Sequence, residues 1–122
     1  MKARCLCGAT QFEVQLRNHE VAACHCSMCR RQTGGPLMTI DIEDIHFIDQ
    51  QYLSVFNSSE WAERGFCSIC GTFIFWRTKD HSFANINVFT LEENYLMIWI
   101  LIWRFMWIIS QPSIYLIIKP KK

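Results

Sequence analysis

Seven cysteines give this sequence its reactive inventory, and they fall into three groups. The groups are Cys5 and Cys7, then Cys24, Cys26 and Cys29, then Cys67 and Cys70. Thiols this close together serve disulfides, a redox relay or a metal. The opening stretch MKARCLCGATQFEV has no apolar core of a secretion signal before its first cysteine. A reducing, cytoplasmic setting is therefore expected, where closely spaced cysteines bind metal more often than they pair as disulfides. An odd number also leaves no closed disulfide set.

The outer groups share one pattern. CLCGATQFEV and CSICGTFIFW each put glycine directly after the second cysteine, followed by an extended run. Glycine there can adopt the positive φ of a tight turn and free backbone N–H groups to face the sulfurs. Two such turns facing each other supply four thiolates, Cys5, Cys7, Cys67 and Cys70, the closed tetrahedral set of a structural zinc. With no vacant corner, that ion would hold the fold and do no chemistry. The alternative is a pair of inert buried thiols in each turn.

The middle group, CHCSMC, has three cysteines of its own: Cys24, Cys26 and Cys29. Three protein ligands and one open corner make the arrangement of a catalytic zinc. The open corner lets a thiol or water bind and lose its proton. On an extended backbone the His25 ring would point away from its neighbours, so a supporting or packing role is preferred to direct ligation. The rival reading is a second structural site, completed by His25 or by a neighbouring chain.

The elements that must position these groups read as β. In TQFEVQL, Phe12, Val14 and Leu16 alternate with polar residues, the period of a strand with one wet face. PLMTI, IHFI, YLSVF and GTFIFWR are further short β-branched or aromatic runs, punctuated by TGGP and NSSE. No run before residue 90 has helical periodicity. The 122 residues suit one modest core, and 14% aromatic content with a formal charge of +1 argues against disorder. Seven thiolates (−7) and two Zn²⁺ (+4) would take that +1 to −2, which disfavours a nucleic-acid partner.

RCLCGATQFEV, VAACHCSMCRRQTGG and NSSEWAERGFCSICGTFIFWR together resemble the glutathione-dependent formaldehyde-activating enzyme family, also called the centromere-protein-V/GFA domain. The resemblance runs from about Arg4 to about Val88. It implies an all-β, Mss4-like fold of zinc-stapled antiparallel sheets. It also implies two zinc ions: a structural one on Cys5, Cys7, Cys67 and Cys70, and a catalytic one on Cys24, Cys26 and Cys29. The activity implied is that of a carbon–sulfur lyase that adds a zinc-bound thiol, glutathione, to formaldehyde and forms S-hydroxymethylglutathione. Arg30 and Arg31 could pair with substrate carboxylates, but an ordinary solvated charge pair is the preferred reading. Thr33, Ser58 and Ser59 could donate hydrogen bonds at the site, and turn chemistry explains them equally well. The alternatives are a two-zinc binding module without catalysis and an inactive family member with an altered C-terminus.

The C-terminus departs from the family pattern, and a boundary is drawn between a zinc-binding domain at 1–94 and an atypical apolar segment at 95–122. Tyr95 to Ile109 contains one polar residue, Arg104. Trp99, Trp103 and Trp107 would align on one helix face, yet the other faces are apolar too. A membrane span needs ~20 apolar residues, and an association through 95–118 is the weaker reading. Buried strands would exceed the usual length of ~5–6 residues. An abrupt switch to an aggregation-prone run favours a frameshifted or degraded end over native family sequence.

Overall fold

The computed structural model describes residues 1–92. The apolar segment at 95–122, and every reading of it, lies outside the described residues. Within them the expected β architecture is present, as one curled antiparallel sheet of seven strands in the order β1-β2-β3-β7-β6-β5-β4. The strands are β1 (Lys2–Arg4), β2 (Gln11–Cys24), β3 (Leu37–Asp49), β4 (Leu53–Asn57), β5 (Ala62–Cys67), β6 (Phe73–Thr78) and β7 (Ala84–Asn87). IHFI and all of PLMTI but its proline, separate runs in the sequence, belong to the single long strand β3.

Alternation along β2 fixes its two faces. Phe12 and Val14 are buried while Gln11, Glu13 and Gln15 are exposed, as a two-residue side-chain period requires. Register shifts near Gln11/Phe12, Gln15/Leu16 and Leu16/Val21 interrupt the β2–β3 ladder. Such bulges bend a strand and increase its twist, so the long pair curls over the core. Near the β1 edge, Ala3 bridges Leu91, and Arg4 pairs with Glu92 at 3.1 Å. The main core gathers Phe12, Ile40, Ile42, Ile74, Phe75, Ile86 and Val88, all fully buried, with the Phe47 ring tilted against those of Phe12 and Phe75.

Gly65 in β5 is required by close approach. A Cβ built there would fall well inside van der Waals contact of the Phe75 ring. The Arg77 guanidinium covers the same ring at 4.4 Å.

One element departs from the sequence expectation. Ser27–Thr33 forms a helix, α1, where no helix was anticipated. Its signal is in the ends rather than the periodicity. The Cys26 sulfur accepts the Cys29 N–H at 3.4 Å as an N-cap, and Gly34, at φ 79°, ends the helix by donating to Arg30 O. Seven residues are too few to show a stripe, and only Cys29 is buried.

Candidate metal centres

The two glycine turns face each other. Cys5 and Cys7 lie between β1 and β2, while Cys67 ends β5 and Cys70 precedes β6. Gly8 and Gly71 sit at φ 82° and 79°, the left-handed region open to glycine at little cost. In each turn the N–H of the first cysteine donates to the carbonyl five residues on, Thr10 O or Thr72 O. The glycine N–H returns to the first cysteine's carbonyl. Thr10 N–H also points at Cys5 Sγ, at 3.3 Å.

The four sulfurs lie within 4.8 Å of one another. Cys5 Sγ and Cys7 Sγ are 3.7 Å apart, and Cys7 Sγ and Cys67 Sγ 3.9 Å. A tetrahedron of ~2.3 Å zinc–sulfur bonds has edges of about 3.8 Å, so this donor set fits zinc. All seven cysteines are free thiols, and bonded sulfurs would be only ~2 Å apart.

Crowding sets the charges. The Ala9 N–H favours the Cys7 thiolate, but burial and the thiols of Cys5, Cys70 and Cys67 together push Cys7 up to about 11. Burial opposes ionisation of Cys70 as well, yet the Thr72 hydroxyl and N–H, with Cys7, bring it down to about 5. Burial opposes ionisation of Cys67 too, but the Cys70 N–H and the Thr10 hydroxyl lower it. Charge therefore collects on two of the four thiols, and a divalent cation would let all four ionise together.

The middle group sits where β2 passes into α1. Cys24 ends the strand, Cys26 caps the helix and Cys29 lies in its first turn. Their sulfurs also lie within 4.8 Å of one another, and His25 is not among the donors of that group. Burial opposes ionisation of Cys26, but the Cys29 N–H and the Cys29 and Cys24 thiols outweigh it, bringing Cys26 down to about 7. Burial and the Cys24 thiol push Cys29 up to about 12, against the pull of Arg64.

Beside these three sulfurs opens a cavity of about 600 Å³. Cys24, Cys26 and Cys29 form part of its wall, with Trp61, Arg64 and Trp76 among the other lining residues. Trp61 stands edge-on to Trp76 at 5.5 Å, and Trp76 edge-on to Phe83 at 6.1 Å. Antiparallel register pairs Arg64 with Trp76 and Trp76 with Asn85, which puts directly opposed side chains on one face. Arg64 is 4% exposed and donates to Cys29 Sγ at 3.5 Å and to Gln32 Oε1 at 2.9 Å.

The arginine beside the sulfurs is therefore Arg64, which sequence reasoning passed over. Arg30 and Arg31 are exposed on α1 and do not line the cavity. Thr33 Oγ1 donates to Cys29 O and Gly35 O, Ser58 Oγ to Ala62 O, and Ser59 Oγ accepts the N–H groups of Trp61 and Ala62. These are turn and cap bonds.

A curled antiparallel sheet with two cysteine clusters able to hold metal, one beside an open cavity, defines the class. The model of the glutathione-dependent formaldehyde-activating enzyme family matches residues 1–99. The chain belongs to that family. It is similar to the uncharacterized lyase C29B12.13 of Schizosaccharomyces pombe, 29% identical over 97 residues, covering 76% of this chain and 71% of that protein. A crystal structure of a Rhodobacter sphaeroides protein resembles it with a TM-score of 0.63 at 30% identity, over 76% of this chain and 89% of the other. Family membership and the lyase relative support a lyase.

Proposed function

We propose that the protein is a zinc-dependent carbon–sulfur lyase that joins a thiol such as glutathione to formaldehyde, giving S-hydroxymethylglutathione. The observation that carries the reading is the position of three sulfurs, not four, in the wall of a cavity large enough for a small organic molecule. Cys5, Cys7, Cys67 and Cys70 would hold a structural zinc, and Cys24, Cys26 and Cys29 a catalytic one. When bound by three anionic sulfurs, zinc is a weak Lewis acid that favours a thiolate over hydroxide.

The chain's own residues do the rest. Cys24, Cys26 and Cys29 fix the direction from which a thiol approaches, and Trp61 and Trp76 give it an apolar wall. In the overall reaction the sulfur forms a bond to the carbonyl carbon. The carbonyl π pair moves to oxygen, and the proton lost by the thiol ends on that oxygen. No oxidant or reductant is needed, and the reverse direction breaks the same carbon–sulfur bond.

Cobalt-substituted protein tests this reading. Added glutathione should alter the cobalt absorption spectrum, and formaldehyde with glutathione should give the hemithioacetal faster than buffer alone. A spectrum indifferent to excess glutathione, with no rate above background, would refute it. The physiological thiol then follows from which of several thiols perturbs the spectrum at the lowest concentration.

A further inference from the structure

A guanidinium buried without an anion is expensive, and Arg64 is almost fully buried. Among the described residues no ion pair joins it to a carboxylate. Its Nη1 donates to neutral Gln32 Oε1 at 2.9 Å, its carbon lies 5.9 Å from the Phe73 ring centroid, and its Nε has no hydrogen-bond partner. The remaining contact is Nη2 to Cys29 Sγ at 3.5 Å. Neither an amide oxygen nor one aromatic face offsets the burial of a full charge.

We infer that Arg64 is the built-in counter-charge of the Cys24/Cys26/Cys29 site, a positioning residue that neutralises the metal–trithiolate unit and tunes its open corner. Three thiolates around a divalent cation carry a net charge of −1, which one guanidinium cancels. The N–H···S bond also draws electron density from Cys29, so the bound ion keeps more positive character toward the cavity. With Arg64 beside it, a metal held by Cys24, Cys26 and Cys29 would present a neutral rather than a negative unit to an anionic sulfur. Burial strengthens the effect, because little water screens it. Groups that hydrogen-bond to metal ligands typically govern affinity by about 10–100-fold.

The inference rests on the proposed metal-binding role of the three sulfurs, and its test separates the two. Arg64→Met keeps length and packing but removes the charge, and exposed Gln32 can turn to water. In protein loaded with two zinc equivalents, competition with a chromophoric chelator should show the second equivalent bound at least about 10-fold more weakly in Arg64→Met. Arg64→Lys should restore most of that loss. In the cobalt form, Arg64→Met should shift the sulfur-to-metal charge-transfer band to longer wavelength. Introduced into protein carrying serine at positions 24, 26 and 29, Arg64→Met should leave the melting temperature unchanged or raise it, because an unpaired buried charge is removed. Unchanged affinity and spectrum with normal two-zinc loading would overturn the inference alone. So would equal destabilisation of the native and triple-serine proteins. If the unaltered chain takes up only one zinc, the two-site reading fails first and the inference falls with it.

Discussion

The two cysteine clusters use the same ligand atom in different surroundings. Cys5 and Cys67 are fully buried and belong to the main core beside Phe12, Ile74 and Val88. Cys29 belongs to a small satellite cluster with Leu37 and Phe73, and its group lines the cavity. Four convergent sulfurs close a tetrahedron, whereas three beside a cavity leave a corner for something else. The chemistry of a thiolate site is thus decided less by its sulfurs than by what the fold leaves opposite them.

Breaking the four-sulfur cluster should have the largest effect. Structural zinc supplies roughly 10 kcal/mol or more to small zinc-dependent domains, comparable with the ~5–15 kcal/mol net stability of an ordinary domain. Cys67→Ser should therefore abolish the cooperative thermal transition seen by circular dichroism. A retained sharp transition would show that the closed cluster does not hold the fold.

Strand β5 links the clusters, since it carries Arg64, which touches Cys29, and ends on Cys67. Gly65→Ala would drive a methyl group into the Phe75 ring, and overpacking of this kind costs about 1–3 kcal/mol. Urea denaturation should register that loss while both zinc equivalents stay bound. A variant as stable as the parent would mean that β5 yields easily.

In metal-free protein, reactivity sharpens the contrast within the three-sulfur group. Cys26 is exposed and its pKa is lowered to about 7, whereas Cys29 is buried and raised to about 12. The nucleophile is the thiolate, and its fraction grows as pH rises through the pKa. Iodoacetamide labelling followed by mass spectrometry should therefore mark Cys26 before Cys29, with a rate that climbs between pH 6 and 8 (about one unit either side of that midpoint). Equal labelling of both would contradict the assigned environments.

The smallest effect belongs to the exposed arginines of α1. Arg30→Ala and Arg31→Ala should each change stability by no more than about 0.5 kcal/mol and leave glutathione binding by the cobalt form unaltered. A large rise in the glutathione concentration needed would move substrate recognition onto the helix.

Local chemistry was legible in the sequence, and long-range convergence was not. CxCG and CxxCG announced their turns because glycine at positive φ has few substitutes, and Phe12 and Val14 announced a face because a strand alternates. The helix at Ser27–Thr33 escaped notice because its cap is a cysteine already assigned to metal, though Gly34 in TGG was an available stop signal. Arg64 escaped for a different reason. Beside Glu63 it reads as ordinary strand polarity, and only the pairing of β5 with β6 and its bond to Gln32, 32 residues away, bury it. Trp61, Trp76 and Phe83 likewise meet only through the topology.

The most direct test of the division between the clusters is a count of bound metal before and after serine replaces Cys24, Cys26 and Cys29 together. The expected result is a fall from two zinc equivalents to one, with the circular dichroism spectrum and cooperative melting preserved. Loss of both equivalents, or of the fold with the first, would contradict the account, because the seven sulfurs would then be acting as one structural unit.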